Sequence, residues 1–221
     1  MMIFEDWGLI DYEQALQKQL NCVEIVTSSE NSMNPHPGFL IFCKHPAVVT
    51  TGRQTQPEDI FAWQGPIVEI SRGGRATYHG PSQVVVYPII NLKPPRSGRG
   101  PQEIRGYLRA LEKAIVLTLK EFGITAEGKT PQKIPGAAVE TDETGVWIGA
   151  KKIASLGIAV KKWVSFHGAA INVHHDATAF QGLNPCGFQS STMISVESVL
   201  QHPIDEKSFK DILKKHCIDL L

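Results

Sequence analysis

The chain has 221 residues, with 22 Lys+Arg against 22 Asp+Glu, so its formal net charge is zero. Hydrophobic residues make up 42% and charged residues 20%, a globular balance that excludes a disordered chain, a collagen, a coiled-coil rod and a disulfide scaffold. The neutral charge also argues against a nucleic-acid binder, which carries a basic surplus. The length suits a domain able to bury its own core. No apolar run reaches the ~18 residues of a membrane span. Glu5 and Asp6 stand where a secretory signal would be apolar or basic. A cytoplasmic protein without membrane or nucleic-acid partners is expected, with free thiols at Cys22, Cys43, Cys186 and Cys217.

In chain order, Asp11 is placed to cap a helix, with Gln14 three residues on, and Tyr12, Ala15, Leu16, Leu20 and Val23 form its apolar face. NSMNPHPG at 31–38 reads as a loop. GFLIFC (38–43), residues 67–70 and VVVYPIINL (84–92) read as strands. KPPRSGRGP at 93–101 cannot be regular structure. Behind Pro101, Ile104, Tyr107, Leu108, Leu111, Ile115, Leu119 and Phe122 repeat at helical spacing, and Gly123 stops them. Residues 145–148, 152–160 and 165–173 predict three consecutive strands. Phe209, Ile212, Leu213 and His216 mark a last helix, with Asp205 near its start. Consecutive strands without intervening helices predict an α+β fold with a largely antiparallel sheet. One catalytic domain over 1–221 is expected, with a smaller C-terminal lobe from about Lys152.

Three segments carry candidate chemistry. RGGRATYHGPSQ (72–83) brings together two glycines, an arginine, a hydroxyl and an imidazole at a strand edge. Alternation puts Thr77 and His79 on one face and Tyr78 on the other. GAKKIASLGIAVKKWVSFHGAAINV (149–173) holds Lys151 and Lys152, which as strand neighbours point to opposite faces. If Lys152 faces in, it shares an apolar face with Ala154 and Leu156, which favours its neutral form. Small residues at Ser155, Gly157, Gly168, Ala169 and Ala170 leave room for an extended ligand. NPCGFQSSTMISV (184–196) sets Cys186 between a proline and a glycine, in a turn that fixes its sulfur; a nearby cation would make it a nucleophile. Cys22, Cys43 and Cys217 read as core residues. His174 and His175 diverge on a strand, and no recognised ligand spacing appears, so neither metal nor other cofactor is expected.

Taken in order, RGGRATYHGPSQ, KKIASLG with SFHGAAINV, and NPCG, together with KHPAVVTTGRQ (44–54), resemble the lipoyl(octanoyl) transferases. The resemblance spans about Lys44 to Thr192. It implies a fold similar to the catalytic domain of biotin and lipoate protein ligases: α+β, with a mixed, mainly antiparallel sheet flanked by helices and a small second sheet. It implies transfer of an octanoyl or lipoyl group from octanoyl-acyl carrier protein to a lysine of lipoyl domains. The acceptors would be the lipoyl domains of 2-oxoacid dehydrogenase complexes and the glycine cleavage H protein. No ATP would be needed. By position, the resemblance makes Cys186 the nucleophile and Lys152, not Lys151, its partner. Acyl-binding residues would be Arg72, Gly73, Gly74, Arg75, Ala76, Thr77, Tyr78, His79, Ser155, Leu156, Gly157, Gly168, Ala169 and Ala170, with His167 alongside. A closed apolar slot lined by Gly74, Ala154, Gly157, Gly168 and Ala169 is expected. The competing reading is an ATP-dependent lipoate or biotin ligase of the same fold, which needs no cysteine nucleophile.

Overall fold

The computed structural model describes residues 1–96, 99–130 and 142–221. Its elements, in order, are β1 (Ile3–Leu9), α1 (Tyr12–Ser28), β2 (Phe39–Lys44), β3 (Val48–Thr51), β4 (Ile67–Glu69), β5 (Thr77–His79), β6 (Gln83–Ile89), α2 (Ile104–Glu121), β7 (Glu127–Lys129), β8 (Gly145–Ile148), β9 (Lys151–Lys161), β10 (Val164–Asn172), α3 (Val196–Leu200) and α4 (Glu206–Leu220). Among the described residues a seven-stranded sheet runs β1-β2-β6-β10-β9-β8-β7, and a three-stranded sheet runs β4-β3-β5. Pairings are antiparallel except β1 with β2 and β3 with β4. β9 and β10 lie inside the large sheet, between β6 and β8, so the chain from Lys152 on shares that sheet and does not start another.

The central strands are apolar on both faces because helices cover both. Leu40, Phe42, Val84, Val86, Ala154, Leu156, Ala169 and Ile171 pack against Tyr107, Leu111, Ile115 and Leu119 of α2 and Phe209, Leu213 and Cys217 of α4. Ile41, Cys43, Val85, Tyr87, Ile89 and Ala170 point the other way, toward Cys22, Val23 and Val26 of α1. Asp11 caps α1, accepting from the N–H groups of Glu13 and Gln14 at 2.9 and 3.2 Å. Asp205 caps α4 in the same manner. Burial holds the core thiols protonated: it pushes Cys22 up to about 11 and Cys217 up to about 12, and raises Cys43 further.

Three short strands lay outside the sequence reading. β1 is half exposed and polar; it pairs only with β2, at the sheet edge. β3 and β7 have four and three residues, too few to show a period. One register irregularity matters for the site. Val146 pairs with Ala154 but Trp147 pairs with Lys152, so Ile153 is an extra residue in β9. Such a bulge breaks the alternation of faces.

At the C-terminal end of β10, His174 sits between two carboxylates, 3.0 Å from Glu197 and 2.7 Å from Glu206. Hydrogen bonds from His174, then from the His175 amide, lower Glu197 to about 2. Burial pushes Glu206 up, but hydrogen bonds from Lys44, His174 and Lys210 outweigh it and bring it to about 2. Their folded values lie below the ordinary glutamate range near 4.5, so their stabilisation is complete above that range and is lost as pH falls toward 2. Acid titration of the wild type followed by circular dichroism should show a stability loss between about pH 4.5 and 2, and Glu197→Gln should flatten that limb.

Candidate active site

On the α1 side of the sheet a narrow pocket opens between β9, β10 and β6 on its floor and β5 and the start of α1 on its roof. The floor is low because of glycines: Gly157 of β9 pairs directly with Gly168 of β10. Tyr12, Arg72, Thr77, His79, Tyr87, His167, Asp142 and Cys186 close the walls.

Cys186 sits in the turn Pro185–Gly187 with left-handed backbone, φ 58°. Its N–H donates to Ala76 O at 2.8 Å, and its carbonyl accepts from the Asp142 N–H at 2.8 Å. The side chain is 5% exposed, and Sγ lies 3.8 Å from Ser155 Oγ. Lys152 is fully buried. Its Nζ donates to Asp142 O at 2.6 Å and lies 5.5 and 5.6 Å from the ring centroids of Trp147 and Phe188. Asp142 therefore holds the ammonium through its carbonyl and the cysteine backbone through its amide. The Ile153 bulge corrects the sequence reading of this strand: Ala154 and Leu156 face the helices, whereas Lys152 lies with Ser155 on the cysteine side. Lys151, exposed, donates instead to Ser191 O at 2.7 Å.

The residues of 72–79 divide. Arg72, Thr77 and His79 reach the pocket. Tyr78 faces the other way, against Trp63 and Phe180, as alternation requires. Ala76 packs with it. Arg75 turns away from the pocket and pairs with Glu58 and buried Asp59, at 3.1 and 2.5 Å. That pair fixes the turn whose Asp59 carbonyl accepts from the Asn184 N–H, two residues before Cys186. Gly73 donates its N–H to Ile158 O and joins the segment to β9. A Cβ on Gly74, whose φ is +84°, would meet the Asp142 carboxylate at 2.3 Å. Arg72 gives its Nη atoms to Gly73 O, Arg75 O, Thr50 O and Thr50 Oγ1 at 2.9–3.0 Å.

The slot differs from the one expected. Ser155, Leu156, Gly157, Gly168, Ala169 and Ala170 line it, but Ala154 and Gly74 do not. Ala154 belongs to the core under α2 and α4, and Leu156 and Ala169 pack into that core as well as bordering the pocket. The pocket is not simply apolar either, since two histidines, two tyrosines, a threonine and an arginine border it. Tyr12, Tyr87 and Asp142 also line the pocket. They come from α1, β6 and the chain before β8, and nothing local in the sequence marks them as site residues.

A model of the lipoyl protein ligase A/B catalytic domain matches residues 11–218. The chain belongs to this family. An octanoyltransferase of Bdellovibrio bacteriovorus is 52% identical over 221 residues, covering 100% of this chain and 99% of the relative. The family member described here is accordingly an enzyme of the octanoyltransferase type, acting in lipoylation. A lipoate-protein ligase A solved with ATP superposes with a TM-score of 0.65 at 17% identity, covering 97% of this chain and 82% of that one. The biotin protein ligase of Aquifex aeolicus gives 0.52 at 10% identity, covering 99% and 67%. The fold is thus the α+β fold of the lipoate and biotin ligases, with its mixed large sheet and small second sheet. No helix among the described residues is long and apolar enough to cross a membrane.

Gly168 is where backbone approach is closest: a Cβ there would lie 2.0 Å from Val86 O. Larger residues at 168 therefore break the β6–β10 ladder and do not fill the pocket. Gly168→Ala should cost about 2 kcal/mol by overpacking, read as a fall in Tm of roughly 4–8 °C in thermal unfolding.

Proposed function

We propose that this chain moves an octanoyl group from acyl carrier protein to a lysine of lipoyl domains through a thioester on Cys186. The observation that carries the reading is the cysteine itself: its sulfur opens on the pocket from a clamped turn, and one residue, Asp142, links it to the buried Lys152. In the first half-reaction the Cys186 thiolate, with the Lys152 ammonium as its counter-charge, attacks the donor thioester. The bond from the acyl carbon to the carrier's sulfur breaks, and that sulfur leaves with the proton of the Lys152 ammonium, which becomes neutral. In the second half-reaction the acceptor ε-amine attacks the Cys186 thioester. Its N–C bond forms, the C–S bond breaks, and neutral Lys152 takes the proton from nitrogen. Thioester to amide is downhill, so no nucleotide is required.

The developing oxyanion needs donors. The amides of Cys186 and Gly187 are already engaged with Ala76 O and Asn184 O, so neither is free to serve. The Thr77 hydroxyl, buried on the pocket wall with no partner, is the side-chain donor favoured here. In this reading the whole chain acts as a single catalytic domain in the cytoplasm, on acyl carrier protein as donor. The acceptors are the lipoyl domains of 2-oxoacid dehydrogenase complexes and the glycine cleavage H protein.

Incubation with octanoyl-acyl carrier protein, without ATP, should add one octanoyl mass to the intact protein. Cys186→Ser should abolish the adduct and reduce transfer at least about 1000-fold, since a hydroxyl is a far weaker nucleophile than a thiolate. An adduct persisting on the Ser variant would place the nucleophile elsewhere.

Lys152→Ala should slow iodoacetamide labelling of Cys186 at neutral pH by about tenfold, through loss of the cation that favours the thiolate. Lys151→Ala should leave it within twofold, because that side chain reaches only the Ser191 carbonyl. Equal effects from the two would remove Lys152 from its assigned role.

A further inference from the structure

The described residues hold eight buried side-chain polar atoms without a hydrogen-bond partner, and four of them belong to the pocket: Arg72 Nε, Thr77 Oγ1, His79 Nδ1 and His167 Nε2. Such an atom is destabilising unless something fills the site. His167 Nδ1 pairs with the Tyr12 hydroxyl at 3.4 Å, which leaves Nε2 as the unpartnered nitrogen of its ring. Burial lowers His167 to about 3, so the ring is neutral.

The backbone bears on the same point. His167 is left-handed, φ 58°, in the middle of β10, and its N–H is held by Gln19 Oε1 at 2.8 Å. A strained backbone in a pocket wall points to a use for the side chain it aims. Ser155, beside Cys186, pairs with Ala170. His167 is three residues further along β10, roughly 10 Å. That is about the reach of an extended eight-carbon chain.

We infer that the pocket accepts medium-chain acyl groups bearing a hydroxyl at the far end, the hydroxyl hydrogen-bonding to His167 Nε2. The inference rests on the acyl-transfer reading above. A purely apolar wall rejects an added hydroxyl by about 100-fold. Here the hydroxyl would meet a ring nitrogen that an alkyl chain leaves unpaired.

The test compares transfer from octanoyl- and 8-hydroxyoctanoyl-acyl carrier protein. Wild type should keep the two kcat/KM values within about tenfold. His167→Phe should lower the hydroxyoctanoyl-to-octanoyl ratio at least tenfold, and His167→Gln, which retains an acceptor, should restore most of it. Rejection of the hydroxyl by wild type, or the same ratio in His167→Phe, overturns the inference. A second measurement needs neither transfer nor a folded variant. Imidazole ¹⁵N NMR of wild type should show one buried neutral ring whose Nε2 signal moves on adding 8-hydroxyoctanamide and not octanamide. No such ring, or an equal response to both amides, also overturns it. Octanoyl that fails to acylate Cys186 while the Nε2 signal still responds selectively would instead count against the transfer reading alone.

Discussion

The site depends on a clamp around the backbone of Cys186. Its amide donates to Ala76, beside the small sheet, and its carbonyl accepts from Asp142, at the foot of β8. Without these two bonds the turn 185–187 would be a surface loop and its sulfur would have no fixed direction. With them, the small sheet, the large sheet and the loop meet at one atom. The Arg75–Asp59 pair holds the neighbouring turn from behind, fully inside the protein on the Asp59 side. A buried pair of this kind is costly to break because the surviving charge has no water to turn to. Its service to the site is geometric.

The large sheet makes room for the pocket by a second constraint. Both its faces are covered, so space for a ligand has to be created by omission of side chains. Gly157, where a Cβ would press on Arg72 at 3.0 Å, supplies it on one face, while Ala154 remains packed on the other. The Ile153 bulge then moves Lys152 from the packed face to the open one. Chemistry and packing thus occupy opposite sides of one strand, and a single extra residue decides which side the lysine serves.

The helices were legible in the sequence because their apolar residues recur at 3.6 and their caps, Asp11 and Asp205, are local signals. The segment around Thr77 and His79 was legible because period-two alternation held there. Alternation failed at β9, where nothing in KKIASLG announces a bulge; that lies in the register with β8. Strands of three or four residues, such as β3 and β7, have no period to read. The polar end of the pocket was invisible for a different reason. Tyr12, His45, Tyr87 and His167 come from four separate parts of the chain, and Tyr12 fits the apolar face of α1 as well as it fits a partner for His167.

The left-handed turn at Cys186 also limits which amino acids could ever stand there. A side chain unbranched at Cβ accepts φ near 58° at modest cost, whereas a β-branched one is a steric outlier. Serine and glycine fit the turn; threonine and valine do not. Between the two small hydroxyl-bearing replacements for the thiol, the backbone admits serine and not threonine. The route by which this scaffold could exchange one nucleophile for another is therefore fixed by a dihedral angle, before any question of reactivity arises.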